Sequence, residues 1–377
     1  MRFIHISDIH IGKKVNEFSM LDDQVFVLKQ VIDTALKQEA DAVIIAGDIY
    51  DKSVPPAEAV EVFDWFITEL SQKGIKIYAV SGNHDSPQRI AFGSGIMSKS
   101  GVYFSGVYNG KVEKYVFEDK YGKVNIYLLP FIKPANVKRY YEDKEITDYN
   151  SALKTVLENT PINENDRNVI VAHQFVTGAQ RSDSEEISVG GIDNVDASLF
   201  KTFDYTALGH IHGPQSMGKN IIYSGSPLKY SFSEINQKKA MVIVDLNEKG
   251  SVVINKIPFV PLHDMREVKG YYDQITSRAN YINTKTDDYI KIVLKDDDEI
   301  IDAIGKLRSI YPNIMNIEYD NTRAKTNSEA FVNNVNTNKS PTELFCELFE
   351  IQNNMPVSSE QLKEINRVFE SVEEELV

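Results

Sequence analysis

Short apolar runs alternate with amphipathic stretches along the first 80 residues of the chain. The runs Phe3–Ser7, Ala42–Ala46 and Ile75–Val80 have the length and the β-branched content of buried strands. Between them, apolar residues recur every three or four positions from Leu21 to Leu36 and from Val60 to Leu70, which predicts two helices. Strands that alternate with helices of this length form right-handed βαβ units, so we expect a largely parallel sheet.

The next part of the chain, up to about residue 260, is richer in strands. The segments with strand patterns are Val124–Leu129, Asn168–Ala172, Tyr205–Leu208, Asn220–Tyr223, Ala240–Leu246 and Val252–Ile257. Two sheets packed face to face would accommodate all of these strands in one domain of ~260 residues. The predicted fold class is therefore α/β, a two-sheet sandwich flanked by helices.

The pattern changes after Pro261. Two alternating strands, Tyr289–Leu294 and Met315–Tyr319, flank a helical stretch at Glu299–Ile310, which predicts a small α+β domain. Residues 321–340 contain six asparagines and few large apolar side chains, as is typical of a linker. We therefore divide the chain into a large domain (1–262), a small domain (263–320), a linker (321–339) and a C-terminal helix pair (340–377).

The C-terminal segment predicts two amphipathic helices. Ser340-Pro341-Thr342-Glu343 is a capping box with proline at the first helical position, and Ser358 opens the second helix. The apolar stripes comprise Leu344, Phe345, Leu348 and Phe349 in the first helix, and Leu362, Ile365, Phe369 and Val372 in the second. Two helices this short cannot bury both stripes against each other. We expect them to bind helices of a partner protein, with packing onto the large domain as the alternative.

The net charge of −14 argues at first against nucleic-acid binding, which usually needs a basic surface. Half of that charge lies in residues 341–377, where nine glutamates accompany one lysine and one arginine. Bound cations would further reduce the negative charge of the remaining body. Net charge therefore excludes neither nucleic acid nor any other class of substrate.

Other features of the composition limit the class of protein. A composition of 42% hydrophobic and 25% charged residues excludes wholesale disorder. The single cysteine, Cys346, excludes an intrachain disulfide and a thiolate zinc site. No stretch approaches the ~18 consecutive apolar residues of a transmembrane helix, and the first residues have the pattern of a strand rather than of a secretion signal. We expect a cytoplasmic protein without membrane contact.

The placement of histidines is the strongest chemical signal. Five of the seven histidines lie in short polar clusters, most of them at or just past the end of a predicted strand. The clusters are Asp8-Ile9-His10, Gly47-Asp48, Gly82-Asn83-His84-Asp85, His173 and Gly209-His210-Ile211-His212. A lone cluster of this kind could be a turn or a helix cap, but five should converge beyond the carboxyl ends of the strands. Oxygen and imidazole donors without thiolate suit Mn, Fe, Zn or Mg, so we predict a dinuclear metal site.

These clusters resemble the motifs of the calcineurin-like metallophosphoesterases, which are all present here. The resemblance implies two divalent ions, with Mn²⁺ foremost, that activate water and clamp phosphate oxygens. It assigns Asp8, His10, Asp48 and His212 to one ion, and Asp48, Asn83, His173 and His210 to the other, with Asp48 as the bridge. His84 would not ligate but would protonate the leaving oxygen. Asp51 would orient His84, with a turn or cap role as the alternative.

The wider sequence resembles the DNA-nuclease branch of this family. The resemblance is carried by the opening segment Arg2–Gly12, by Ala46–Asp51 followed by Pro55-Pro56, and by Tyr223-Ser224-Gly225-Ser226-Pro227. It implies a double-strand exonuclease and single-strand or hairpin endonuclease that acts in DNA repair and recombination. Such a nuclease has a capping domain and works as a homodimer within a heterotetramer, its C-terminal helices bound to an ATPase with a coiled coil.

Several surface features gain a possible role from this resemblance. Lys13, Lys14 and Arg89 flank the predicted site and would contact DNA phosphates, or be ordinary solvated side chains. The apolar segment Ile90–Met97 would form a dimer interface or be buried in the monomer. A metallophosphatase or a cyclic-nucleotide phosphodiesterase on the same metal site is the alternative function, because a fold does not choose a substrate.

Overall fold

The computed structural model describes residues 1–185, 193–298, 300–320, 341–353 and 356–375. The chain divides into two compact units, Met1–Glu267 with Asp287–Lys291, and Val268–Thr286 with Ile292–Val377. The four-part division made from the sequence stays a prediction, and its linker, 321–339, lies outside the described residues.

The strands of at least three residues are numbered in chain order. They are β1 (Arg2–Ile6), β2 (Ala42–Ala46), β3 (Lys76–Val80), β4 (Val102–Phe104), β5 (Glu113–Asp119), β6 (Gly122–Leu129), β7 (Arg167–His173), β8 (Tyr205–Gly209), β9 (Gln215–Gly218), β10 (Ile221–Tyr223), β11 (Ala240–Leu246), β12 (Val252–Pro258), β13 (Met265–Gly270), β14 (Tyr289–Leu294) and β15 (Ile314–Tyr319).

The α-helices are numbered in the same way. They are α1 (Leu21–Lys37), α2 (Ala57–Gln72), α3 (Pro87–Ile90), α4 (Ser94–Met97), α5 (Pro134–Lys138), α6 (Tyr149–Glu158), α7 (Tyr272–Thr276), α8 (Arg278–Tyr281), α9 (Ala303–Arg308), α10 (Pro341–Asn353) and α11 (Ser359–Glu375). Among the described residues, no helix is both long and apolar enough to cross a membrane.

The first unit contains two six-stranded sheets, in the orders β12-β11-β1-β2-β3-β4 and β9-β10-β8-β7-β6-β5. The strands β1-β2-β3-β4 of the first sheet and β10-β8-β7-β6 of the second run parallel, as predicted. The pairs β11–β12, β5–β6 and β9–β10 are antiparallel, because their connecting turns are too short for the crossover that a parallel pair requires. The pair β1–β11, whose strands are far apart in the sequence, is also antiparallel, so both sheets are mixed.

The two sheets share one apolar core. The first sheet contributes Phe3, Ile44 and Val80, and the second contributes Ile126 and Val171, all of them buried. A second apolar layer packs α6 onto the outer face of the second sheet. This sandwich of two sheets with flanking helices confirms the predicted fold class.

His5 ties the two sheets together inside this core. Its Nδ1 lies 3.0 Å from the hydroxyl of Tyr205 on β8. Burial lowers the pKa of His5 to about 3, so the imidazole is neutral. Its role is structural, and it is separate from the clustered histidines.

The region of the small predicted domain contains three elements that the sequence analysis does not predict, β13, α7 and α8, and its predicted helix begins later than expected. Periodicity predicts a helix over 299–310, but α9 begins only at Ala303. The Asp302 side chain accepts a hydrogen bond from Gly305 N and so caps the helix there. Ile301, which the pattern counted as core, is 84% exposed. A third sheet has the order β13-β14-β15, and the chain passes from one unit to the other within β13, after Thr286 and within β14.

The C-terminal helices begin where the sequence predicts. Helix α10 starts at Pro341, and α11 follows Ser358. Ser358 Oγ accepts from Gln361 N at 3.3 Å, and Gln361 Oε1 accepts from Ser358 N at 2.9 Å. This reciprocal pair satisfies two main-chain donors at the start of α11.

Candidate metal centre

The five polar clusters meet at one edge of the sandwich. They follow the carboxyl ends of β1, β2 and β3 in the first sheet and of β7 and β8 in the second. The predicted ligands Asp8, His10, Asp48, His173 and His212 are each no more than 3% exposed. The structure therefore brings the clusters together as the sequence predicts, at the edge where α/β sheets bind ligands.

The loops after β1 and β2 are held to each other by main-chain hydrogen bonds. Asp8 N donates to Gly47 O at 3.1 Å, and His10 N donates to Asp48 O at 3.0 Å. The φ angles of Asp8, His10 and Asp48 are 52°, 48° and 47°, and that of His210 is 103°. Residues other than glycine rarely adopt this region, and such conformations concentrate at functional sites.

Two glycines let the sheets approach closely at this edge. A Cβ on Gly47 would lie 2.3 Å from His173 Nδ1, and one on Gly209 would lie 1.8 Å from Ala46 O. Gly47 also has a φ of +90°. His173 at the end of β7 can consequently reach the carbonyl of Ala46 at the end of β2.

Asp48 lies at the middle of the cluster. Its Oδ2 is 3.7 Å from His10 Nε2 and 3.3 Å from His173 Nε2. Its Oδ1 accepts from the main-chain N–H of His84 at 3.0 Å. One carboxylate thus faces imidazoles from both sheets, which is the geometry required of a bridging ligand.

His173 and Asn83 form one side of the centre. His173 Nδ1 donates to Ala46 O at 2.8 Å, because a carbonyl oxygen can only accept. Its Nε2 therefore directs a lone pair toward Asp48 Oδ2 and toward Asn83 Oδ1, which is 3.0 Å away. Asn83 Oδ1 also lies 3.0 Å from His210 Nδ1. Acceptor atoms that converge in this way need a positive charge between them.

The carboxylates around His173 favour a positive charge at this position. Burial opposes a charge on His173, but the carboxylates of Asp48 and Asp8 outweigh it and raise the pKa of His173 to about 9. His210 differs, since burial lowers its pKa to about 3. His210 Nε2 is buried and has no hydrogen-bond partner in the described part of the chain. The atoms that converge, His173 Nε2, Asn83 Oδ1 and His210 Nδ1, are a donor set that fits a metal ion, and His210 Nε2 is the other nitrogen of that ring.

Asp8, His10 and His212 form the other side. Their ligand atoms lie within 4.8 Å of one another, and the two Nε2 atoms of His10 and His212 are 3.1 Å apart. Burial raises the pKa of Asp8 to about 6 and lowers that of His10 well below its usual value. Neutral imidazoles and buried carboxylates are a suitable donor set for a divalent ion.

His84 and Asp51 stand beside this group. His84 Nδ1 lies 3.0 Å from the main-chain carbonyl of Asp51, while the Asp51 carboxylate accepts from Lys13 Nζ at 2.7 Å. The main-chain carbonyl of Asp51 thus contacts His84, while its carboxylate contacts Lys13. His84 also forms a group with His10 and Asp48 whose ligand atoms lie within 4.8 Å of one another. The catalytic roles of His84 and Asp51 stay predictions.

The sequence prediction leaves out Asp85, which supports the loops. Its buried carboxylate accepts from Gly82 N at 2.9 Å, Ile49 N at 3.0 Å and Tyr50 N at 2.9 Å. Burial raises the pKa of Asp85 to about 6. The Gly-Asn-His-Asp motif contains this residue, but its partners after β2 are far away in sequence.

A polar network behind His212 is also absent from the prediction. His212 Nδ1 lies 2.6 Å from Ser184 Oγ and 3.5 Å from Glu234 Oε1. Because the Ser184 hydroxyl donates to Glu234, it accepts from His212, so His212 Nε2 is left to face the metal centre. The fully buried Glu234 also pairs with Lys239, whose Nζ donates to His212 O at 2.9 Å.

The charge state of this network is fixed by its pairing. Burial opposes ionisation of Glu234, but His212 and Lys239 outweigh it and lower the pKa of Glu234 to about 2. Glu234 and Lys239 occur in a stretch without a recognisable motif. No periodicity or spacing in the sequence could have identified them.

The predicted DNA contacts follow the metal loops in the sequence, and the predicted partner contacts lie on the C-terminal helices. Lys14 and Arg89 are exposed, next in sequence to the metal loops. On the C-terminal helices, Leu344, Phe345 and Leu362 are exposed, and Leu348, Phe349, Ile365 and Phe369 are partly buried. The side chain of Val372 is outside the described residues. The structure does not test the binding roles of these residues.

Comparisons with known proteins agree with this geometry. A family model described as "Calcineurin-like phosphoesterase" matches residues 1–214, and one described as "Type 5 capsule protein repressor C-terminal domain" matches residues 261–353. A protein of Staphylococcus epidermidis named as the SbcD component of the nuclease SbcCD is 33% identical over 330 residues, which cover 85% of this chain and 87% of the relative. The protein of the same name from Staphylococcus saprophyticus is 34% identical over 321 residues, or 84% of each chain.

Among solved structures, a dimetal phosphatase from Danio rerio has a TM-score of 0.40 and 13% identity, and the match covers 68% of this chain and 95% of that one. The family model spans more than half of this chain, and the curated relatives exceed 30% identity over most of their length. The chain therefore belongs to the calcineurin-like phosphoesterases and, within them, to the SbcD family of nucleases.

Proposed function

We propose that this chain is the nuclease component of an SbcCD-type complex, which hydrolyses DNA phosphodiesters with two divalent ions, Mn²⁺ foremost. The observation that carries the proposal is the position of the Asp48 carboxylate between His10 and His173, at 3.7 and 3.3 Å. Every other predicted ligand lies around it. The family membership then favours a DNA phosphodiester over a small phosphate ester.

The ligands divide into two sets around Asp48. Asp8, His10 and His212 would hold one ion, and Asn83, His173 and His210 the other, each with Asp48. When bound, the two ions would supply a hydroxide nucleophile at neutral pH and neutralise charge on the phosphate oxygens. Asn83 contributes an oxygen without a negative charge, so it leaves the site attractive to an anion.

His84 would move a proton in this reaction. Its Nδ1–H would donate to Asp51 O at 3.0 Å, and its Nε2 would then exchange a proton with the leaving oxygen. Its ring centre lies 4.8 Å from that of His10, so it borders the ligand set. Asp51 fixes the ring of His84 by its carbonyl and holds Lys13 by its carboxylate, beside the path of a phosphate.

The substrate class is tested by a direct comparison. Purified protein with Mn²⁺ is incubated with linear and hairpin DNA, and separately with p-nitrophenyl phosphate and with cyclic AMP. We expect cleavage of DNA, both from double-stranded ends and at the hairpin. Fast turnover of either small molecule with intact DNA would overturn the nuclease proposal in favour of a phosphatase or a cyclic-nucleotide phosphodiesterase.

The C-terminal helices would bind an SbcC-type ATPase at its coiled coil. An apolar groove of about 370 Å³ lies between α10 and α11, and its lining residues include Phe345, Phe349 and Phe369. The rings of Phe345 and Phe369 are 6.2 Å apart and hold the pair together. A groove of this kind accepts the apolar face of a partner helix, and the glutamates around it would suit a basic surface.

A homodimer would use the exposed apolar side chains near α3 and α4. Phe92 is 81% exposed and Ile96 is 78% exposed, which is more than a surface without a partner usually tolerates. We expect Phe92→Glu/Ile96→Glu to be monomeric by light scattering where the unaltered protein is dimeric. A monomeric unaltered protein would contradict this part of the proposal.

A further inference from the structure

A polar cleft of about 570 Å³ lies next to the metal centre in the first unit. Its wall includes Gly213 and Pro214, which directly follow the predicted ligand His212. Lys256 on β12 also lines it. Lys256 pairs with Val242, and Val242 pairs with His5, so this wall lies toward the carboxyl end of β1, where the metal loops begin.

The cleft carries an excess of positive charge in a chain whose net charge is −14. Lys238 and Lys256 line it, are exposed, and have no carboxylate partner among residues 1–185, 193–298 and the other described segments. Arg181 also lines it and pairs with Asp193 at 2.8 Å. Among the described lining residues the carboxylate is that of Asp183, so within that part of the chain cations outnumber anions.

Arg181 links the cleft to the metal centre. Its guanidinium lies 3.7 Å from the centre of the Phe175 ring, and that ring lies 6.2 Å from the ring of His210. Neutral donors complete the lining, including the side-chain amides of Gln180 and Gln237. Lysine, arginine and amide donors are the groups that contact DNA phosphates without reading sequence.

One short segment serves both the cleft and the metal centre. Within residues 233–239, the side chains of Glu234 and Lys239 are buried and hold His212. Their neighbours Ser233, Gln237 and Lys238 line the cleft instead. A molecule in the cleft would therefore contact the same segment that positions a predicted ligand.

We propose that this cleft holds the sugar-phosphate backbone of one DNA strand as the strand runs to the metal centre. The proposal rests on the nuclease function proposed above. Lys238 and Lys256 attract the DNA strand by their positive charge. Arg181 lies at the end of the cleft nearest His210, and the side-chain amides position individual phosphates.

The test uses the full-length chain with the double substitution Lys238→Gln/Lys256→Gln. Its matched control, Lys120→Gln/Lys123→Gln, removes the same charge at the turn between β5 and β6, at the opposite end of the second sheet from the metal loops. Binding of a fluorescein-labelled DNA duplex with a single-stranded end is measured by anisotropy in EDTA over a range of salt concentrations. We expect the slope of log Kd against log salt concentration to become shallower by about 1 for each cleft lysine removed. The control should keep the slope of the unaltered protein.

Three results would overturn the proposal. Equal slopes for the cleft pair and the control pair would show that the cleft does not contact DNA. A fall in Mn²⁺ affinity of the cleft pair, measured by calorimetry, would show that these lysines support His212 rather than contact DNA. If the unaltered protein binds no DNA at any salt concentration, the nuclease proposal fails first, and this inference fails with it.

Discussion

The metal centre and the C-terminal helix pair present opposite kinds of surface. At the metal centre, Asp8 and His173 are fully buried, and the loops that carry them are held by main-chain hydrogen bonds. On the helix pair, Phe345 is 41% exposed and Val368 is 51% exposed, although both line an apolar groove. The first region holds polar groups away from water, whereas the second leaves apolar groups in water.

The difference indicates how each region does its work. A metal centre must hold its donors in place before any ion or substrate arrives. Buried charge and strained backbone cost folding free energy, which the stability of the surrounding sheets offsets. A docking surface gains its stability from the partner, so it can stay exposed until the partner binds. Substitutions at the centre should therefore affect chemistry, and changes to the helices should affect assembly.

Removal of the central carboxylate should have the largest effect. Asp48→Ala takes away the atom that faces both His10 and His173, so we expect loss of bound metal and a fall in DNA cleavage on the order of 10³-fold or more. Metal content by mass spectrometry and the cleavage rate measure this. Asp64→Ala, an exposed carboxylate on α2, is the control and should keep both. Full metal content in Asp48→Ala would contradict a bridging role.

Removal of His84 should separate metal binding from chemistry. Because His84 is predicted to be a proton donor and not a ligand, His84→Ala should keep both ions yet cleave DNA ~10²-fold more slowly. The same two measurements apply. The ligand atoms of His84, His10 and Asp48 lie within 4.8 Å of one another, which is close enough to share a metal ion. An emptied site in this variant would therefore identify His84 as a ligand.

The network behind His212 should have a smaller effect. Glu234→Gln keeps the shape but loses the charge that fixes the His212 ring, so we expect Mn²⁺ affinity to fall by about 10–100-fold. Titration calorimetry measures the affinity, and Glu234→Asp should restore part of it. Glu69→Gln, at an exposed ion pair with Lys73, is the matched control. Equal affinities in Glu234→Gln and the control would remove Glu234 from the support of the site.

Removal of the helix pair should leave basal chemistry nearly unchanged. A chain ended at Asn338 retains every predicted ligand, so we expect it to cleave simple DNA with Mn²⁺ at a rate close to that of the full chain. It should fail to co-purify with SbcC and should not be stimulated by ATP in its presence. Unchanged SbcC affinity would refute the partner role of the helices, and would leave the metal centre unaffected.

The local features of this protein could be predicted from the sequence because they depend on neighbouring residues. Apolar runs such as Ala42–Ala46 and Ala240–Leu246 coincide with β2 and β11 in the structure. The capping signals at Pro341 and Ser358 give the starts of α10 and α11. The identities of the clustered residues, from Asp8 to His212, also follow from short motifs.

The tertiary structure alone decided which atoms meet. His10 Nε2 and His212 Nε2 are 3.1 Å apart although the residues are separated by 202 positions. The carbonyl of Asp51 contacts His84, and the carboxylate of the same residue contacts Lys13. Glu234 and Lys239 support His212 from a segment without any motif. Periodicity and spacing report on forces along the chain, whereas hydrogen bonds and ion pairs between distant segments exist only once the two sheets have packed.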